Sequence, residues 1–416
     1  MLFTTSRWAI ALGTLVAGVG LSVWTPGFAQ QAAVETKPPE EQIKELIVQL
    51  SDDSYTVRQA AAERLLEVGL DAREQLQAVA DGPDPETRAA ASRLLTLIEK
   101  SEFKRRLDAF AADTDGRQGL TMPGWEPFRK LIGDDEIGRA MFVEMQRHEA
   151  ALLADIFGNR ASQPERRWEE RLQKLVSWQA SPINRNAAPP LGSCATVLFL
   201  GCLPELNVSD RIAAYQVHLV QRPPVVEAIK PGSTREGIRR VVVAWILNCP
   251  NRNEQLLDQR LTLARAQDIK EAAPLALQIA GAGPEFLTVS PGLRARAILT
   301  VGQLGTPDMA DELEPLLDDT TIYGQLAPAH PVPAITIQIR DVALIAMLHL
   351  TDQSPIDYGF TDIRRTGARH DELTILGLPN DESRASAAAK WRAWKEARTT
   401  DASKGPPIPA EKAADR

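Results

Sequence analysis

Aromatic side chains, cysteines and any surplus of basic charge are all scarce in this sequence. Aromatics make up 5% of its 416 residues, against 25% charged residues. With alanine, leucine and arginine recurring throughout, that scarcity favours helix over sheet. Lys and Arg number 47 and Asp and Glu 55, for a formal net charge of −8. A chain without clustered basic charge lacks what is needed to displace counterions from phosphates, so nucleic acid is not an expected partner. Several motifs are missing as well. The sequence contains no GxxxxGK[ST] to cradle phosphate, no GxSxG nucleophile elbow, no HExxH and no CxxC. Phosphate-loop hydrolysis, α/β-hydrolase chemistry and the common zinc sites therefore lose their usual signatures.

The N-terminus carries a pattern of its own. Arg7 precedes a stretch from Trp8 to Val34 without a charged residue, and Ala9 to Trp24 is almost wholly apolar. Pro26-Gly27 then breaks the run before Phe28-Ala29. This reads as an export signal over 1–29, with cleavage near Ala29, so the mature protein is expected outside the cytoplasm, periplasmic or secreted. An uncleaved anchor stays open, because the apolar run reaches the lower limit of spanning length, about 17 residues. Membrane contact is expected only in that case. For an exported chain, three cysteines (Cys194, Cys202 and Cys249) are an odd set. If 194–202 is helical, Cys194 and Cys202 lie about 12 Å apart along the axis, beyond the ~7 Å that a disulfide tolerates. Small buried thiols are the expectation.

Residues 30–41 read as a flexible linker rich in Pro and small residues. Ile43, Leu46, Ile47 and Leu50 then fall at helical spacing. After the turn residues of Ser51-Asp52-Asp53-Ser54 comes VRQAAAERLLEVG, with Val57, Ala60, Ala61, Leu65 and Val68 on one face and Gly69 as its stop. A shift of 30 residues aligns Arg58 with Arg88, Ala60 with Ala90, Ala61 with Ala91 and Leu65 with Leu95. A period of this size signals a helical-hairpin repeat. The same phrase returns at Ile238-Arg239, Leu293-Arg294 and Ile339-Arg340. Alanines at inner positions let helices approach closely while leucines fill the gaps between layers.

DDSYTVRQAA and GPDPETRAAA resemble HEAT-type repeats, with Arg58 and Arg88 on the family's arginine position. The resemblance covers about 42–100 and 285–350. It implies an α-solenoid and an arginine that ties a repeat to a turn, with Asp53 and Asp84 as partners. The later copies lack a turn Asp. The whole chain also looks like exported bacterial HEAT-repeat proteins, a family to which no activity is attached.

Between the repeats, 113–135 reads as loop and then a short helix anchored by Trp125 and Phe128. Residues 135–157 and 164–178 read as two long helices. The Pro- and Asn-rich stretch 181–193 reads as a linker between a module at 42–180 and a second at 194–398. CATVLFLGCLPEL lies between buried helix and strand, and helix is the expectation. Residues 318–336 and 352–382 read as irregular insertions, ASAAAKWRAWKEAR as a capping helix, and 399–416 as a disordered tail.

Chemistry-bearing residues are few. His370-Asp371, with His349 upstream, has the residue types of helical metal phosphohydrolases, but it lies in an insertion with no well-placed second Asp. Ser101 and Lys104 fit the SxxK of serine-acylating enzymes, with Arg365-Thr366-Gly367 as a degenerate KTG, yet the sheet those enzymes require has no room here. DTDGRQG, 113–119, places two Asp before a Gly but lacks the remaining oxygens of a calcium loop, so it reads as a turn. AGAG at 280–283 follows a helix and lacks a third glycine, so it too is a turn. His148 and His218 lie on helices without ligand partners at the right spacing. Trp245, Trp391 and Trp394 read as core and cap residues, and Trp125 as a structural wedge.

The sequence thus predicts an all-α protein, an α-solenoid of HEAT-like helical hairpins with irregular insertions. Its expected role is a non-catalytic scaffold that binds a protein partner. No cofactor, metal or catalytic residue is expected. The alternative is a phosphohydrolase using His349, His370 and Asp371.

Overall fold

The computed structural model describes residues 40–158, 163–185, 187–281, 286, 289–326, 335–360 and 377–403. The leader 1–29 lies outside the described residues, as do His370 and Asp371. The described chain is all-helical apart from one two-stranded hairpin. It divides into two compact units at Phe103/Lys104.

The first unit contains α1 (Glu40–Gln49), α2 (Tyr55–Val68) and α3 (Arg73–Ala80), with α4 (Pro85–Ala112) carrying the chain into the second. Its core joins Ile43, Ile47 and Leu50 of the first hairpin to Ala61, Leu65, Leu76, Ala91 and Leu95. The 30-residue alignment thus superposes buried on buried at Ala61/Ala91 and Leu65/Leu95. Ala60, expected on the same face, is exposed. The buried face of α2 is narrow, one i,i+4 pair with Val57 and Val68 half-buried beside it.

The second unit begins with α5 (Trp125–Leu131), α6 (Glu136–Phe157), α7 (Pro164–Val176), α8 (Leu191–Leu200) and α9 (Asp210–Val220). It continues through α10 (Pro223–Ile229), α11 (Glu236–Asn248), α12 (Glu254–Ala266), α13 (Ala273–Ala280), α14 (Pro291–Leu304) and α15 (Met309–Leu313). Strands β1 (Ile322–Leu326) and β2 (Ile335–Gln338) precede α16 (Ile339–Leu350) and α17 (Asp381–Ser403). The ambiguous segment at Cys194 is helix α8, packed on α6 and α11. α8 begins inside 181–193, at Leu191, and packs on α6, while the division between compact units falls at Phe103/Lys104.

Three segments differ from expectation. In and just beyond 318–336, β1 and β2 pair antiparallel, with a register shift between Ile322 and Gly324. Their Ile- and Thr-rich composition suits a pleated surface, a signal too short to outweigh the prolines around it. In 352–382, the DYGF stretch is a 3-10 turn (Pro355–Tyr358) ending at Gly359 with φ +92°, and it places Tyr358 and Phe360 in the core. The capping helix starts earlier and runs further than expected, to Ser403.

Small residues mark the closest helix contacts. A Cβ on Gly302 of α14 would lie 2.8 Å from Ala346 Cα of α16. One on Gly237 of α11 would lie 2.8 Å from Met141 Cβ of α6. These backbones are close enough that larger residues would push the layers apart.

All three cysteines are free and buried. Burial pushes the Cys194 thiol up to about 12 and raises Cys202 further, with the neighbouring Cys249 adding to the rise. Thiolate is the reactive form, so these groups are expected to be inert in the folded protein. A maleimide reagent at neutral pH should label none within minutes, and all three once the chain is unfolded in guanidinium. Rapid stoichiometric labelling of the native protein would contradict this packing.

Candidate functional site: an arginine ladder and a buried polar core

The repeated arginines occupy one structural position. Arg58, Arg88, Arg239 and Arg294 are each the fourth residue of their helices, α2, α4, α11 and α14. Each guanidinium turns back to a main-chain carbonyl at the end of the preceding helix or in the turn after it. Arg58 Nη1 donates to Asp52 O at 2.6 Å and Asp53 O at 3.0 Å, and Arg88 Nη1 to Gly82 O at 3.1 Å. Arg239 Nη1 donates to Ile229 O at 3.2 Å, the last residue of α10. Arg294 Nε donates to Ala280 O at 2.7 Å, the last residue of α13. A cation at a helix C-terminus satisfies orphan carbonyls and opposes the negative end of the dipole.

Neither expected carboxylate holds its arginine. Asp53 meets Arg58 through its carbonyl, and Asp84 receives the Thr87 N–H at 2.9 Å and the Thr87 hydroxyl. Those Thr87 bonds hold the Asp84 carboxyl below its usual range, with the charge of Arg88 a smaller contribution. An Asp just before a helix serves as its N-cap, and that need takes the carboxylate first.

In the second unit the arginines also reach forward. Arg239 Nη2 donates to Asp268 O at 3.4 Å and lies 3.8 Å from Glu271, both just ahead of α13. Arg294 Nη1 donates to Asp319 Oδ2 at 2.5 Å, in the turn before β1. Arg340 Nη2 donates to Asp381 Oδ1 at 2.5 Å, the first residue of α17. Burial works against the Asp319 carboxylate, but its bonds to Thr321 and Arg294 outweigh it and hold the carboxyl below the usual range. Arg340 does not cap a helix, because a strand precedes it, and its Nε instead donates to Gln338 Oε1.

Sequence reading missed a set of buried polar groups. Arg260, 1% exposed, donates to the carbonyls of Ile246, Cys249 and Asn251, closing the end of α11 with a cation. Burial pulls its guanidinium down to about 10. Glu149, at a kink in α6 with φ −135°, receives Arg171 at 2.8 and 2.5 Å. Arg384 grips Asp341 at 2.8 and 3.1 Å. Gln216 donates to Val197 O at 2.9 Å and accepts from Trp245 Nε1 at 3.0 Å. A signal for Arg260 and Asp341 was present: Arg260 lies at helical spacing from Leu256 and Leu257, and Asp341 directly precedes the apolar run from Val342 to Leu348.

The residues weighed for catalysis do not converge among the described residues. His349 sits half-buried in the last turn of α16. His218 is exposed on α9, while His148 does have a carboxylate neighbour, Glu144 Oε2 at 3.7 Å one turn earlier. Ser101 and Lys104 are exposed along α4, and Lys104 pairs with Asp108 at 2.9 Å. Arg365, Thr366 and Gly367 lie outside the described residues, as do Ala282 and Gly283 of the AGAG stretch. DTDGRQG forms turns with Gly116 and Gly119 at φ +66° and +62°. Trp125 is 4% exposed and wedged among Phe110, Phe128 and Phe142. The Trp391 and Trp394 rings lie 5.1 Å apart on α17 at an interplanar angle of 33°, and Trp245 is buried in α11. Compared with known proteins, the chain matches no family model, no curated protein and no solved structure.

Proposed function

We propose that this chain is a non-catalytic, protein-binding scaffold of the cell envelope, built from HEAT-like hairpins stacked as an α-solenoid. The observation that carries the reading is the forward reach of Arg239, Arg294 and Arg340. Each links its own helix to the start of a later segment, a joint suited to fixing successive hairpins in one orientation. Stacks of that kind present extended faces that bind polypeptides without a catalytic pocket. The apolar leader at 1–29 supplies the envelope location, and the excess of acidic over basic residues leaves protein as the partner class.

The test is affinity capture with the mature chain from envelope extract, compared with a variant carrying Arg64→Glu and Arg93→Glu on α2 and α4. Both arginines are exposed, so the fold should tolerate the exchange. One dominant retained protein, lost or reduced at least tenfold with the variant, is the expected result. Retention of nothing above a bead control would overturn the scaffold reading.

A further inference from the structure

The loop between α4 and α5, the helix α5 and the start of α6 enclose a polar cavity of about 370 Å³. Thr114, Gly116, Thr121, Trp125, Asp134 and Arg139 contribute to its walls. Arg139 is its most unusual component. This side chain is 5% exposed, yet no carboxylate forms an ion pair with it among the described residues. Its guanidinium rests on Phe110 and Trp125, 4.5 and 4.9 Å from their ring centres. Nη1 donates to Phe110 O at 3.1 Å, while Nε has no partner. Nη2 points toward the loop, 3.4 Å from where a Cβ on Gly116 would stand. The cation is thus fixed before any ligand arrives, with donor capacity unused.

The other charges on the cavity narrow what could enter. Asp115 is held by Arg117 at 3.0 Å, and Glu126 by Arg129 at 2.9 Å. Among the charged residues of the lining, that leaves Arg139 and the exposed Asp134 without an ion pair among the described residues. An anion would face Asp134, and a cation would face Arg139. A neutral group that accepts at one end and donates at the other conflicts with neither.

We propose that this cavity is a recess for an uncharged amide of the bound partner, an Asn or Gln side chain or an exposed peptide bond. Its oxygen accepts from Arg139 Nη2 and its N–H donates to Asp134. The assignment rests on the scaffold reading and names one contact within it. Pre-fixing the guanidinium against two rings removes part of the ordering cost that a flexible arginine would incur on binding.

The experiment uses the full mature chain with 15N-labelled tryptophan and N-acetyl-glutamine N-methylamide as probe. Trp125 lines the recess, so its indole N–H resonance, assigned from Trp125→Phe, reports occupancy. A saturable shift with a Kd of roughly 10 mM or tighter is expected, the range for a fragment making two hydrogen bonds. Gly116→Asn should abolish it, because Asn tolerates a positive φ and places its own amide against Nη2. Arg139→Met should also abolish it; if that variant does not fold, the Gly116→Asn result decides. No shift with the probe, or an equal shift with acetate or methylammonium, overturns the proposal. A captured partner unaffected by Gly116→Asn also removes this contact while leaving the scaffold intact. A saturable shift without any captured partner leaves the recess and removes the scaffold.

Discussion

Replacing Arg384 with methionine is expected to lower the unfolding free energy by about 3–5 kcal/mol, measured by urea denaturation near neutral pH. Arg384 of α17 is 7% exposed and makes two bonds to Asp341 of α16, which is 1% exposed. It also donates to Thr336 O at 2.5 Å and Leu378 O at 2.8 Å. Methionine fills similar space but leaves a carboxylate and two carbonyls without this partner. Burial already pushes the Asp341 carboxyl above its usual range, in spite of the bonds from Arg384. A carboxyl raised in the folded state opposes folding increasingly as pH rises from its unfolded to its folded value. Removing Arg384 raises it further, so the destabilisation should be largest where the Asp341 carboxyl is ionised and shrink as falling pH lets it take up a proton. Adding Asp341→Asn to Arg384→Met should recover part of the loss at pH 7. A loss below about 1 kcal/mol, independent of pH, would mean that the pair does not join α16 to α17 as described.

Gly192→Ala is expected to cost about 3 kcal/mol, an unusually large penalty for adding one methyl group. At this second position of α8 a Cβ would stand 2.3 Å from Glu144 O and 2.7 Å from Glu144 C, both main-chain atoms of α6. Backbone cannot rotate away as a side chain can, so α8 must shift, disturbing Cys194, Val197 and Leu198, all fully buried. Gly281→Ala is the matched control. Its nearest atom, Leu277 O, is 3.4 Å away at an ordinary φ of −78°, so stability should change by less than about 0.5 kcal/mol. Equal effects at the two sites would show that close approach of α6 and α8 is not what glycine provides at 192.

Within the first unit, the sequence specified much of the local structure. The i,i+4 spacing of Ala61 and Leu65, repeated at Ala91 and Leu95, placed the buried face of α2 and α4 correctly. It placed Ala60 wrongly, because alanine is small enough to sit on either side of a helix without a strong penalty. The arginine that follows each turn was visible as a recurring phrase. Its acceptor was not, because a main-chain carbonyl has the same identity at every residue and leaves no mark in sequence. The Asp residues nearby drew the expectation to themselves, although helix capping had the prior use for Asp84.

The candidate recess was legible only in part. DTDGRQG and Trp125 were recognised as a turn and a wedge, while Arg139 resembled any other charge on a long amphipathic helix. What made it distinctive was the convergence of Phe110, Gly116 and Trp125 on its guanidinium from outside α6. Burial of Arg260 and the pairing of Arg384 with Asp341, 43 positions away in sequence, have the same origin. The sequence alone determined the helical class and the buried positions Ala61, Leu65, Ala91 and Leu95, because these follow from periodicities of a few residues. Tertiary structure alone decided which charges are buried, what they hold and where a cavity remains, because those depend on groups brought together from distant parts of the chain.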